Sequence, residues 1–173
     1  DIISTDYYNL TLSSIGGSPT YTATGLGVQV FGDMQVGGAS TTVVNFNANN
    51  PALNVDGDFS ITSNGTFEAS GSGGFTLAGS YDNNGTYTTN SGTLNFDGTG
   101  THTIAAGNSS FSTVLLSNTG DYTVTEHATA TDTFSIGENL SGFTLDSGQT
   151  LAVGGTLSNY LGGSATDWRG STL

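Results

Sequence analysis

The 173-residue sequence predicts an all-β chain folded as a single parallel β-solenoid, and three observations carry that reading. Apolar and polar residues alternate in short runs from one end to the other. Clusters of Gly, Asn, Asp and Ser punctuate the runs. A Gly-Thr-aromatic pattern returns at a spacing of roughly 20 residues, inside the range of repeat architectures.

Alternation with a period of two sends every second side chain to one face, the mark of a half-buried strand. In chain order it is plainest at Leu10-Thr11-Leu12, Val28-Gln29-Val30, Phe59-Ser60-Ile61, Phe75-Thr76-Leu77, Leu94-Asn95-Phe96 and Phe143-Thr144-Leu145. Ser63-Asn64-Gly65, Asp82-Asn83-Asn84-Gly85 and Asp97-Gly98-Thr99-Gly100 lie between such runs and carry turn chemistry. No stretch places apolar residues at i, i+3, i+4 and i+7 between caps, so helix is not expected.

Short strands and tight turns fit a sandwich, a barrel or a solenoid, and internal repetition selects the last. The segment from Val55 to Phe67 is echoed from Leu77 to Tyr87, with Phe59 matched to Tyr81 and Phe67 to Tyr87. A third copy is read from Leu151 to Asn159, and a longer echo sets Tyr7-Tyr8-Asn9-Leu10-Thr11-Leu12 against Phe111-Ser112-Thr113-Val114-Leu115-Leu116. Coils stacked at ~4.8 Å, with Leu, Val, Ile and Phe inward and Thr, Ser and Asn outward, account for such repeats. The expectation is one domain over residues 1–173, with roughly eight coils of about 20 residues and a length on the order of 40 Å.

Composition bounds the function. Acidic residues number 14 against the single basic residue Arg169, giving a net charge of −13. That charge repels phosphate backbones and anionic membrane surfaces, so nucleic acid and membrane insertion are excluded as partners. No apolar run reaches the ~18 residues of a membrane span. Cysteine is absent, which removes disulfides and thiolate metal sites. No basic segment followed by an apolar stretch opens the chain, so any secretory leader is expected to be gone.

The stretch Asn84-Gly85-Thr86-Tyr87 … Ser91-Gly92-Thr93-Leu94-Asn95-Phe96-Asp97-Gly98-Thr99-Gly100-Thr101-His102-Thr103-Ile104 resembles a repeat common in large prokaryotic surface proteins. In those proteins it precedes an aromatic-Asn-Leu-Thr strand, which Tyr8-Asn9-Leu10-Thr11 matches well and Phe111-Ser112-Thr113-Val114 matches loosely. The resemblance covers most of residues 7–160. It implies a right-handed, pectin-lyase-like parallel β-helix of the kind used in adhesins, stalks and filaments, with His102 standing where Gln is usual. It marks architecture and carries no catalytic site.

Candidate chemistry is sparse. Polysaccharide lyases of that fold look to need a basic proton acceptor, and this chain has no lysine and one arginine. Asp56 and Asp58 form a carboxylate pair on paper, but aspartates beside glycine are ordinary turn residues. His102 and His127 read as exposed ladder residues in preference to a metal pair. No cofactor is expected; dedicated calcium coils and EF-hands are missing, which leaves an opportunistic Ca²⁺ at Asp56/Asp58 or Asp121/Glu126. Thr86-Tyr87-Thr88, Thr101-His102-Thr103, Thr123-Val124-Thr125 and Thr129-Ala130-Thr131 read as ordinary solvent-facing strand threonines in preference to an ice-binding face. Asn9, Asn64, Asn84, Asn108 and Asn139 open N-x-S/T sequons, each expected at the surface.

The chain ends carry the assembly expectation. Neither end reads as a cap, and a solenoid end leaves unpaired N–H and C=O groups over an apolar column. Ile2, Ile3, Tyr7 and Tyr8 at one end, with Trp168 and Leu173 at the other, are the candidate interface. The functional expectation is a non-enzymatic extracellular or cell-surface module, stacked head to tail with itself or with flanking repeats of its own chain. The competing reading is a carbohydrate-binding or polysaccharide-degrading β-helix, with cell-surface glycans as partners. An acidic cluster and aromatic rings sharing one groove would favour it.

Overall fold

The computed structural model describes residues 1–3, 5–161 and 166–170. The first coil contributes β1 (Asp6–Tyr7), β2 (Leu10–Leu12) and β3 (Thr20–Thr22). The next three coils repeat that triplet. They hold β4 (Gly27–Val30), β5 (Met34–Val36) and β6 (Thr42–Asn45), then β7 (Ala52–Val55), β8 (Phe59–Ile61) and β9 (Gly65–Glu68), then β10 (Phe75–Leu77), β11 (Tyr81–Asn83) and β12 (Thr86–Thr88). After β13 (Thr93–Phe96) and β14 (Thr101–Ala105) come two longer strands, β15 (Ser110–Leu116) and β17 (Ala128–Ile136), each followed by a short one, β16 (Asp121–Val124) and β18 (Gly142–Leu145). β19 (Leu151–Val153), β20 (Thr156–Asn159) and β21 (Thr166–Asp167) complete the described elements, among which there is no helix.

Every pairing between these strands is parallel, and each joins one coil to the next. Sheet I runs β1-β4-β7-β10-β13-β15-β17, with β19 and β20 both on β17. Sheet II runs β2-β5-β8-β11-β14-β16-β18-β21, and sheet III holds only β3, β6, β9 and β12. The chain is a parallel β-solenoid of about 7 turns with roughly 22 residues per turn. The turns are thus slightly fewer and slightly longer than the repeat suggested. The early corners make the difference: the chain from Met34 to its partner Phe59 is longer than the chain from Ile104 to its partner Val124.

Register confirms one echo, at both of its matched pairs, and rejects two. Tyr81 pairs with Phe59 and Tyr87 with Phe67, as the repeat required. Leu10, however, pairs with Met34 in sheet II, whereas Val114 pairs with Leu94 in sheet I. The echo between Tyr7–Leu12 and Phe111–Leu116 thus joins segments of different faces. Leu151 pairs with Ala128, and Leu77 lies in a column that continues to Asn159, so the third copy is out of phase as well.

One core fills the interior. In sheet I, Val28, Leu53, Phe75, Leu94, Val114, Phe134 and Leu157 form one inward column. In sheet II, Leu10, Met34, Phe59, Tyr81, Ile104, Val124 and Leu145 form another. Sheet III adds Tyr21, Val44, Phe67 and Tyr87. Rings meet edge to face, tilted or stacked, as between Phe59 and Phe67 at 5.1 Å and Tyr87 and Phe111 at 5.2 Å, the arrangements aromatic quadrupoles favour. A small polar knot sits within this core: buried Asn83 donates from Nδ2 to Ser109 Oγ at 2.7 Å, and Asn83 Oδ1 accepts the Gly85 N–H at 3.0 Å.

Candidate functional site

The corner between sheets I and II is built from a repeated glycine-Asx pair. Asn9, Asp33, Asp58 and Ser80 occupy equivalent positions just before their sheet II strands. Each side chain accepts the backbone N–H of its counterpart one coil on: Asn9 Oδ1 from Asp33 at 2.8 Å, Asp33 Oδ1 from Asp58 at 2.9 Å, and Asp58 Oδ1 from Ser80 at 2.8 Å. Ser80 Oγ extends the ladder to the Thr103 N–H at 3.2 Å. Glycine precedes three of these residues because the reaching side chain needs the space. A β-carbon on Gly57 would lie 2.5 Å from the carbonyl carbon of Gly32 and against the Asp33 carboxylate itself. Asp56-Gly57-Asp58 is therefore turn chemistry with an inter-coil role.

A shallow groove on sheet II is lined by Asp33, Asp58 and Asp82 with Thr11, Gln35 and Ser60. Phe59, its one aromatic neighbour, is fully buried. A second groove crosses the outward face of sheet I over Gly27, Ala52, Gly74, Gln29, Asn54 and Thr76, with Asp6 at its upper edge. There Asn54 Nδ2 donates to Gln29 Oε1 at 2.7 Å and to Asp56 Oδ1 at 2.8 Å. Gln29 Nε2 is buried and makes no hydrogen bond. Two exposed aromatics, Tyr8 (79 %) and Phe31 (53 %), lie just past the ends of β1 and β4 and outside the lining of this groove. Sequence reasoning missed this groove, because only the register sets Gly27, Ala52 and Gly74 in one column.

The histidines do not form a pair. His102 faces inward at the corner, its ring 5.4 Å from that of Tyr122, and its Nε2 is buried without a hydrogen-bond partner. His127 is exposed, and its Nδ1 accepts the Thr150 N–H at 2.9 Å. The expectation of two exposed histidines thus holds for His127 alone; the wide Asp97–Gly100 turn lets the His102 ring tuck beneath it. Asp121 opens β16, and Glu126 lies past its end in a bend. Glu126 Oε2 accepts the Gly107 N–H at 2.7 Å, and Asp56 and Asp58 serve the contacts given above. Among the described residues no group of three or more His, Cys, Asp or Glu is placed to hold a metal ion.

Burial raises the Tyr81 and Tyr87 hydroxyls well above their ordinary range and pushes Tyr122 up to about 12. Desolvation, and then the charge of Asp56, raises the Asp97 carboxyl. Hydrogen bonds from the Arg169 backbone and side chain lower Asp167, and Arg169 also reaches Asp146 at 3.2 Å.

The sequons differ in freedom. Asn9 is committed to the corner ladder through Oδ1. Asn64 Nδ2 donates to the Gly38 carbonyl at 3.0 Å, and Asn84 Nδ2 to Asp82 Oδ1 at 2.9 Å. Asn108, in the left-handed region at φ 58°, and Asn139 are exposed at turns. Of the candidate end residues, Ile2 is already buried in this chain's own core through a bridge to Ala23. Ile3 and Tyr8 are exposed, Tyr7 packs on the core, and Trp168 lies 5.5 Å from Phe143 ring to ring. Leu173 lies outside the described residues.

No protein-family model, curated protein or solved structure matches this chain. The likeness to prokaryotic surface repeats therefore rests on the residues quoted for it.

Proposed function

We propose that the chain is a structural, non-enzymatic module of an extracellular or cell-surface fibre, extended by further coils stacked on its ends. The observation that carries this is the continuous parallel pairing of sheets I and II through eight successive levels. Every level adds backbone hydrogen bonds along the axis and inward columns that run the same way, so the fold grows in one direction only. Seven steps at ~4.8 Å give a module about 34 Å long. Among the described residues, the terminal levels, β1 and β2 on one side and β20 and β21 on the other, each keep one unpaired strand edge. Leu157 at one end of its sheet I column is 37 % exposed, whereas Val28 at the other end is 3 %. Unpaired edges over an open column accept another strand, from the same chain or from a copy. Head-to-tail contacts of that kind do not close, so copies would form an open fibre.

Negative-stain microscopy of the native material, with sedimentation of residues 1–173 across a concentration series, tests this. Filaments of the solenoid's width, or mass that rises with concentration, are expected. A compact particle in the native material together with a concentration-independent monomer would overturn it.

A further inference from the structure

We propose that the partner at the solenoid's open end is a second copy of this chain, seated so that its first coil continues the last coil of its neighbour in register. This rests on the fibre reading and deepens it, because it chooses a copy over further coils and fixes how the two ends meet. The last described coil passes from the third side at β19, through sheet I at β20, to sheet II at β21. β19 stands on the third side because the segment of β17 it pairs with also pairs with β15 at Phe111, whose ring abuts that of Tyr87 in β12. The first described residues take up the same cycle. Ile2 lies on the third side through its bridge to Ala23, β1 follows in sheet I and β2 in sheet II. A copy set on the end of another thus places Ile2 over β19, β1 over β20 and β2 over β21.

Side chains agree with that seating on both sheets. In sheet I one outward column begins at Asp6 and ends at Ser158, and one inward column begins at Tyr7 and ends at Asn159. Seating in register sets Asp6 over Ser158 and covers the exposed Leu157, whereas a slip of one residue would turn Tyr7 to the solvent face. At the corner of sheet II the match is chemical. The ladder of side-chain acceptors begins at Asn9, whose own N–H has no acceptor among the described residues. The same column passes through Thr123 and Thr144 and ends at Asp167. An Asx side chain therefore returns on the level that meets the next copy, in line with the Asn9 N–H. Each Asp167 oxygen accepts one bond from Arg169, and a carboxylate offers about four acceptor sites, so capacity remains for Asn9. Arg169, the one basic residue of a chain of net charge −13, pairs with Asp146 and Asp167 at this end and offsets part of the repulsion between copies.

The chain has no cysteine, so an engineered disulfide reports the seating directly. Adjacent parallel strands lie ~4.8 Å apart, within the Cα separation of a disulfide, whereas a shift of two residues along the strand sets the Cα atoms about 8 Å apart, beyond it. Asp6→Cys with Ser158→Cys, oxidised in residues 1–173 over a concentration series, is expected to give a covalent ladder of multimers on a non-reducing gel. Mass spectrometry should find the peptide of position 6 joined to that of position 158. The two positions lie on opposite terminal levels, so the bond cannot close within one copy. Asp6→Cys with Thr156→Cys should cross-link about tenfold less. Asp167→Ala should weaken self-association in sedimentation about tenfold, and Asp167→Asn, which keeps a carbonyl acceptor but loses the ion pair with Arg169, by less than about threefold. Circular dichroism checks that each variant keeps the wild-type fold. Equal cross-linking by both cysteine pairs, or equal loss in Asp167→Ala and Asp167→Asn, overturns the seating and leaves the fibre reading in place. Residues 1–173 that stay monomeric at every concentration overturn the second copy, and filaments in the native material would then be built from further coils of one chain.

Discussion

From β3 to β12 the chain turns three sharp corners in every coil; from β13 onward it turns two and bends through the third. In the first half residues 46–51, 69–74 and 89–92 make full turns between sheet III and sheet I. In the second half β15 runs from one face to the other with a register irregularity between Phe111 and Thr113, and β17 does the same around Thr131 and Asp132. The interior changes with the corner. Tyr21, Val44, Phe67 and Tyr87 fill the third side of the early coils, and Phe111 of β15 continues it, whereas β17 places only Ala128 and Ala130 there. Close packing links the two: a longer coil encloses a wider section than a shorter one, and only larger side chains fill it without a void. Side-chain volume and corner length therefore set the coil together.

That link is most sharply tested by matched truncations on the third side. Phe67→Ala removes a fully buried ring that touches Phe46, Phe59, Phe75 and Tyr87. It is expected to cost about 3–5 kcal/mol, which lowers the melting temperature by on the order of 10 °C. Ala130→Gly at the matching place in the fused half should cost only about 1 kcal/mol, mostly through backbone entropy. Calorimetric melting of both variants checks this, and equal losses would break the link between section and volume.

A smaller effect separates the halves at the corner ladder. Asp58→Ala deletes the acceptor for the Ser80 N–H and should cost about 1 kcal/mol. Asp58→Asn keeps a carbonyl oxygen in place and should stay within about 0.5 kcal/mol of wild type. Thr123→Ala, at the equivalent position of the later coils, is expected to stay within about 0.5 kcal/mol too. Urea unfolding at fixed m-value measures all three, and a loss at Thr123 as large as at Asp58 would mean that the ladder is not confined to the first half.

The sequence carried the fold where the repeat was chemically distinctive. Phe59 and Tyr81, or Phe67 and Tyr87, could be aligned because each pair is aromatic and followed or preceded by the same Gly-Thr turn. Alternation alone could not tell sheet I from sheet II, since every strand has the same period, and so Tyr7–Leu12 was set against Phe111–Leu116. The third copy at Leu151 slipped because the fused corner places Gly154 and Gly155 where earlier coils have a longer turn. Only part of the sheet I groove was legible in the sequence: Gln29 is recognisable as an outward residue, but its bond to Asn54 and the small-residue column of Gly27, Ala52 and Gly74 exist only once coils are stacked.

The finest contrast concerns charge where the halves meet. Asp97 follows β13, in the outward column that also holds Asp56, two coils earlier. Its carboxyl is raised by desolvation first and by the Asp56 charge second. A carboxyl whose folded pKa exceeds its unfolded value favours the native state fully only below the unfolded value, and that contribution is lost as pH rises through the folded one. At neutral pH the ionised Asp97 is therefore a net cost to the folded chain. Asp97→Asn should melt slightly above wild type at pH 7, within the ~0.5 kcal/mol typical of surface changes. The advantage should shrink as pH falls and vanish below about pH 3.5, where both forms are neutral. Asp56→Asn should recover a smaller share of it, because its charge is the lesser cause. Melting curves of the three proteins between pH 3 and pH 7 decide the matter, the range being set by the ordinary carboxylate value of about 3.9. A variant that loses stability at pH 7, or gains equally at every pH, would show that Asp97 acts through its hydrogen bonds and not through its charge.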